Sequence, residues 1–159
     1  MFESGELLKK IPYPLALLTC RLGDVRNGMP ISWLTQVSSE PPLIMAAIKT
    51  SRYTHDMVKN SGIFAIVFLE ATQTDLIGRF KDKSPDKGKK FEGLKVSETP
   101  SGCPVLEDSL GWLECKVISS LKPGDHTLFI AQISASKLLK KGEGLTLAHY
   151  GKNYHYGIK

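Results

Sequence analysis

Three cysteines in 159 residues, Cys20, Cys103 and Cys115, are odd in number and far apart, which excludes a disulfide framework. No CxxC pair is present, so they are expected as reduced, structural thiols. The histidines are equally scattered: His55, His126, His149 and His155 form no HExxH or comparable spacing, and no metal is expected. No apolar run approaches the ~20 residues that cross a bilayer. The opening Met1-Phe2-Glu3-Ser4-Gly5-Glu6 is acidic where a secretory signal would be basic. The expectation is a cytoplasmic protein with no membrane partner. Also missing are the GxGxxG and GxxxxGKS/T phosphate loops and the GxSxG elbow, which removes the usual dinucleotide, P-loop and hydrolase readings.

What is present is an ordinary globular composition, 42% hydrophobic and 23% charged. A chain of this length suffices for one domain, 1–159, with a core of its own. The net charge of +5 points to nucleic acid, an anionic surface or a phosphorylated small molecule. Much of it falls between Arg79 and Lys90, where six cations face two acids in a Pro/Gly-containing segment. That segment is either a solvated loop or an anion contact. Aromatics do not alternate with these charges as a single-strand stacking platform requires, so no nucleic-acid partner is expected.

Short apolar runs separated by turn chemistry predict a mainly β fold with a few short helices. Leu15 to Thr19 is the first strand, and Gly23-Asp24 to Asn27-Gly28 is the connection to a hairpin partner. Ile31 to Ser38 follows as one strand-like segment. The proline-bounded Leu43 to Ile48, the β-branched Ile63 to Leu69, and Trp112 to Ser119 with His126 to Ser134 around Lys122-Pro123-Gly124-Asp125 complete the strands. Thr54 to Asn60 is a helix ended by Ser61-Gly62 and capped by a nearby hydroxyl. Thr72-Gln73-Thr74-Asp75 opens a second helix with a capping-box-like pattern. Leu145 to Tyr150 and a Tyr/His-rich tail close the chain. The whole suggests a barrel that closes its own edges.

Polar groups between the strands carry the candidate chemistry. Ser32, Thr35, Gln36, Ser38 and Ser39 surround Trp33, and Ser51-Arg52-Tyr53-Thr54 precedes a helix. Hydroxyls and an arginine at a helix N-terminus make either a phosphate cradle or an ordinary cap beside a surface arginine.

The succession Gly28-Met29-Pro30-Ile31-Ser32-Trp33, Gln36-Val37-Ser38, Pro41-Pro42 and Ser51-Arg52-Tyr53-Thr54-His55 resembles the flavin reductase-like FMN-binding split barrel family. The likeness continues through Gly102-Cys103-Pro104-Val105-Leu106, Leu113-Glu114-Cys115, Gly124-Asp125-His126 and Tyr150 to Tyr156. It implies a split β-barrel homodimer with FMN near the subunit interface, and flavin reduction by NADH or NADPH, with FAD as an alternative substrate. Carried over by position, Pro30, Ile31, Ser32, Trp33, Leu34, Gln36 and Val37 would line the ring and ribityl chain. Ser51, Arg52 and Thr54 would meet the phosphate, and Lys83 and Ser84 would approach the flavin. His126 would stand on the nicotinamide side, or else anchor a turn. Pro30 replaces a small polar residue of many members and removes an N–H. The resemblance extends to flavoredoxin-type FMN carriers, which implies a redox protein partner as the alternative.

Overall fold

The computed structural model describes residues 4–83, 85, 86 and 88–151. After a short helix α1 (Ser4–Leu8), strands β1 (Ala16–Leu22) and β2 (Val25–Ile31) form an antiparallel hairpin about Gly23-Asp24 alone. Asn27 and Gly28 lie inside β2, opposite Cys20 and Thr19, and not in the expected connection. Their turn-forming chemistry is overridden by packing. A Cβ at Gly28 would stand 3.0 Å from the Phe80 ring, so any larger residue there would press on that ring.

The expected single segment from Ile31 to Ser38 is broken at Ser32-Trp33, and β3 (Leu34–Ser38) pairs with β4 (Leu43–Lys49). Helix α2 (Tyr53–Ser61) stops at Gly62, whose φ of 70° is left-handed. There follow β5 (Ile63–Phe68), α3 (Thr74–Phe80), β6 (Val96–Glu98), β7 (Pro104–Leu106), β8 (Gly111–Leu121), β9 (His126–Leu138) and α4 (Leu147–Tyr150). β6 and β7 form a separate small hairpin.

The seven long strands run in the order β2-β1-β5-β8-β9-β4-β3, with every pairing antiparallel. This corrects the expectation of self-closing edges. The chain breaks at Ser32-Trp33 and passes from one terminal strand, β2, to the other, β3, leaving the sheet split between them. Among the described residues no helix is long and apolar enough to cross a membrane.

Alternation places two cores on the sheet. Ala16, Leu18 and Cys20 of β1 join Phe64, Ile66, Ile48, Phe129 and the α2 residues Met57 and Val58 on one side. Leu15, Leu17, Ala65, Val67, Phe80, Phe91, Val105 and Trp112 pack on the other. β1 and β5 are therefore buried on both faces, which explains their continuous apolar sequences. Neither helix uses the expected side-chain cap. Arg52 itself occupies the N-cap of α2, and Gln73 that of α3, where its Oε1 accepts the Glu70 N–H at 2.8 Å.

Candidate functional site

The break between β2 and β3 determines where the site forms. Ser32 is buried there, and the Trp33 carbonyl accepts the Ala47 N–H at 2.9 Å, so the Trp33 backbone is fixed against β4. The Trp33 ring meets His126 with centroids 4.5 Å apart and planes inclined by 39°. His126 opens β9 opposite Lys49, the last residue of β4. Its Nδ1 lies 2.6 Å from Asp125 Oδ1. That hydrogen bond holds the Asp125 carboxyl below its usual range. The Asp125 carbonyl in turn accepts the Thr50 N–H at 3.0 Å and the Thr50 hydroxyl at 3.2 Å. The tight β8–β9 turn and the β4–α2 loop are thereby joined, which brings Trp33, His126 and Ser51 to one corner.

Helix α2 begins at that corner. Arg52 is extended at φ −83°, ψ 136°, and its Nη1 donates to the Lys81 carbonyl at 2.9 Å. Thr54 is buried and its Oγ1 accepts from Asn27 Nδ2 at 3.2 Å, while Ser51 is exposed. One turn in, His55 is buried against Phe129, with Nε2 2.8 Å from the Thr127 hydroxyl. This bond fixes α2 to β9 directly behind His126.

The basic segment after α3 lies beside the same helix start. Lys83 is exposed two residues beyond the carbonyl that Arg52 grips, whereas Ser84 falls outside the described residues. Arg79 donates to the Lys89 carbonyl at 3.0 Å and to that of Glu92, so it ties the segment to itself. Lys90 is 4% exposed, and its ammonium donates to Asn27 Oδ1 at 2.8 Å, the Gly28 carbonyl at 3.1 Å and the Asp82 carbonyl at 3.0 Å. Burial pushes its pKa below the ordinary lysine range.

The remaining sequence candidates are placed differently. Pro30 is buried opposite Leu17, and Ile31 contributes to the core. Leu34 packs at the edge of that core. Gln36 and Val37 are exposed further along β3, where Gln36 faces Ile44. Ile44 is five residues from Lys49, roughly 17 Å at strand rise. Within one chain, then, Trp33, His126, Ser51 and Arg52 gather around the start of α2, Lys83 follows two residues after the carbonyl that Arg52 grips, and Gln36 and Val37 lie further along β3. Sequence reasoning missed Asn27, Thr50, Asp125 and Lys90. Of these only Asp125 had a local signal, the Pro123-Gly124-Asp125 turn that presents His126.

The donor set suits a planar aromatic cofactor with an anionic tail. Trp33 and His126 offer a flat aromatic wall, and Arg52 with the positive end of α2 offers anion recognition. Among the described residues no group of three or more His, Cys, Asp or Glu is placed to hold a metal ion.

The sequence pattern of the family described as flavin reductase like domain matches residues 8–157. The chain is 31% identical over 147 residues to a ferric-chelate reductase (NAD(P)H) of Archaeoglobus fulgidus, covering 91% of this chain and 87% of that protein. It is 31% identical to a high molecular weight rubredoxin of Moorella thermoacetica, over 90% of this chain and 63% of the relative. With diflavin flavoprotein A 1 of Synechocystis it shares 29% identity over 89% of its own length, but spans only 25% of that protein. Among solved structures, the NADH:FAD oxidoreductase SgcE6 of Streptomyces globisporus superposes with a TM-score of 0.77 at 25% identity, covering 83% of this chain and 79% of that one.

Proposed function

The chain belongs to the flavin reductase like domain family, and on that premise we propose that it is an FMN-binding oxidoreductase that accepts electrons from NADH or NADPH and delivers them to flavin. The observation that carries this reading is the meeting of the Trp33–His126 pair with the Arg52-led start of α2. FMN held there would supply the redox chemistry, as hydride acceptor and electron carrier.

The protein's own work is positional. Ser51 and Arg52 would hold the phosphate, with Thr54 at the base of the cradle and Lys83 beside it. Trp33 and Leu34 flank the ring, Ser32 supplies polar contacts, and the buried Pro30 and Ile31 support the wall from behind. His126, oriented by Asp125, borders the nicotinamide side and fixes the ring approach distance. Gln36 and Val37 complete the lining from a second copy of the chain, which their distance from His126 supports. The reading is therefore of a homodimer built on a single domain over 1–159. A cytoplasmic setting belongs to the same proposal, supported by three cysteines that are free and buried.

A second reading is electron exchange with a redox protein partner. It is supported by relatives in which the matching part is 25% or 63% of a longer polypeptide. One set of assays separates the two. Purified protein is expected to show the visible spectrum of a flavin, released into the supernatant on heating, and to oxidise NADH or NADPH with excess FMN or FAD. Flavin-loaded protein that turns over neither donor would leave only the carrier.

A further inference from the structure

Two adjacent carbonyls at the exit of α3 are held by different cations. Arg52 Nη1 donates to Lys81 O at 2.9 Å, and Lys90 Nζ donates to Asp82 O at 3.0 Å. The two side chains therefore grip one short stretch of backbone from separate elements. The same ammonium reaches β2 through Asn27 Oδ1 at 2.8 Å and Gly28 O at 3.1 Å. The Asn27 amide then turns its Nδ2 to Thr54 Oγ1 at 3.2 Å. From Lys90 one chain of hydrogen bonds runs to Arg52 through the 81–82 backbone, and another runs to Thr54 through Asn27.

A lysine buried to 4% exposure costs stability unless its three donors are met, and this one is met by groups that all border the start of α2. Its main chain is tied down as well, since the Lys90 N–H donates to Asp86 Oδ1 at 3.0 Å. The Asp86 carboxylate is itself buried and faces Arg26 at 3.9 Å. Phe91, the next residue, packs edge-on against Phe80 at 5.1 Å and receives Arg26 on its face at 4.7 Å. The ammonium is thus held from both sides.

We propose that Lys90 is a positioning residue for phosphate recognition: its buried ammonium fixes the Lys81–Asp82 backbone against which Arg52 is aimed and, through Asn27, the Thr54 hydroxyl at the opening of α2. This rests on the FMN reading of the site and adds a residue that never touches the cofactor. The prediction is selective. Losing the clasp loosens contacts to the phosphate and leaves the ring wall of Trp33 and His126, on the other side of the corner, in place.

The test compares FMN with riboflavin, which lacks the phosphate, in fluorescence titrations of flavin-free protein. Wild type is expected to prefer FMN. Lys90→Met, close in volume but without the ammonium, is expected to lose about tenfold in FMN affinity, equivalent to ~1.4 kcal/mol, with riboflavin affinity unchanged. A variant that keeps the full FMN-over-riboflavin ratio overturns the role of Lys90 and leaves the phosphate cradle standing. Wild type that binds both flavins equally would remove the cradle itself, and Lys90 with it. Should Lys90→Met fail to fold, Asn27→Ala keeps the ammonium on the Gly28 and Asp82 carbonyls but removes its Asn27 acceptor and the link to Thr54. It is expected to reduce the same ratio several-fold, and an unchanged ratio counts equally against the proposal.

Discussion

A guanidinium carries five N–H donors in one plane, and the Nη1 bond to the Lys81 carbonyl sets the plane of Arg52 at the start of α2. Arg52→Ala is therefore expected to weaken FMN binding by about 1.5–3 kcal/mol, the range for a hydrogen bond to a charged group, or roughly 10- to 150-fold. Equilibrium titration checks it, and unchanged affinity would take Arg52 out of the phosphate site. His126 acts differently, since it packs on Trp33 and is oriented by Asp125. His126→Ala should slow single-turnover reduction by NADH or NADPH more than it changes FMN affinity. A third side chain matters for stability. Glu114 is buried, and burial alone would push its carboxyl up. Hydrogen bonds from the Thr99 hydroxyl, the Ser101 N–H at 2.8 Å and the Ser134 hydroxyl at 2.8 Å outweigh that, and hold it below the ordinary glutamate range. With the folded value below the unfolded one, its contribution is present above the unfolded value and is lost as pH falls through the folded one. Melting curves between pH 7 and 3 should show the gap between wild type and Glu114→Gln narrowing with acidity. A constant gap would contradict this linkage.

The strands β1 and β5 were legible because burial on both faces demands the continuous apolar runs that the sequence displays. The hairpin β8–β9 was legible from its Lys122-Pro123-Gly124-Asp125 turn, although both strands extend past the residues first read. β2 was harder. Asn27-Gly28 carries turn chemistry, yet Asn27 is committed to Lys90 and Thr54, and Gly28 passes under Phe80, all contacts from distant sequence. The same reason hid Lys90, which in sequence is one more cation in a basic run. The Trp33 and Ser51–Thr54 segments stand out in the sequence as clusters of polar groups, but their local patterns equally suit caps and loops, so only the family resemblance gives them roles. Gly28 allows the packing account to be tested. Alanine in place of a strand glycine is ordinarily favourable by about 0.5–1 kcal/mol. Here its Cβ would press the Phe80 ring at 3.0 Å, and overpacking of this kind costs about 1–3 kcal/mol. Gly28→Ala should lower the urea midpoint without altering the slope. Adding Phe80→Leu should recover part of the loss, a coupling that distant sites would not show. A raised midpoint in the single variant would refute the close approach.

The sheet order leaves β2 and β3 as terminal strands, and the second half of β8 exposes Ile118 at 56% and Leu121 at 64%. Val37 on terminal β3 is 48% exposed. Large aliphatic side chains raised on strands cost little singly, but grouped on a sheet they favour association. Gln36 and Val37, which the proposed site needs and which lie away from His126 within one chain, are likewise exposed on terminal β3. On the proposed homodimer, association and cofactor binding would be coupled. If two copies complete one site, whatever separates them must also weaken FMN, in accordance with linkage. Sedimentation equilibrium of the wild type is expected to give twice the chain mass of 17.5 kDa. Ile118→Glu with Leu121→Glu places two charges per chain on that surface and should shift the protein toward single chains. The shift should bring at least a tenfold loss of FMN affinity, about 1.4 kcal/mol. A folded single-chain variant that binds FMN as tightly as wild type would show that each chain holds a complete site, and Gln36 and Val37 would then leave the binding set.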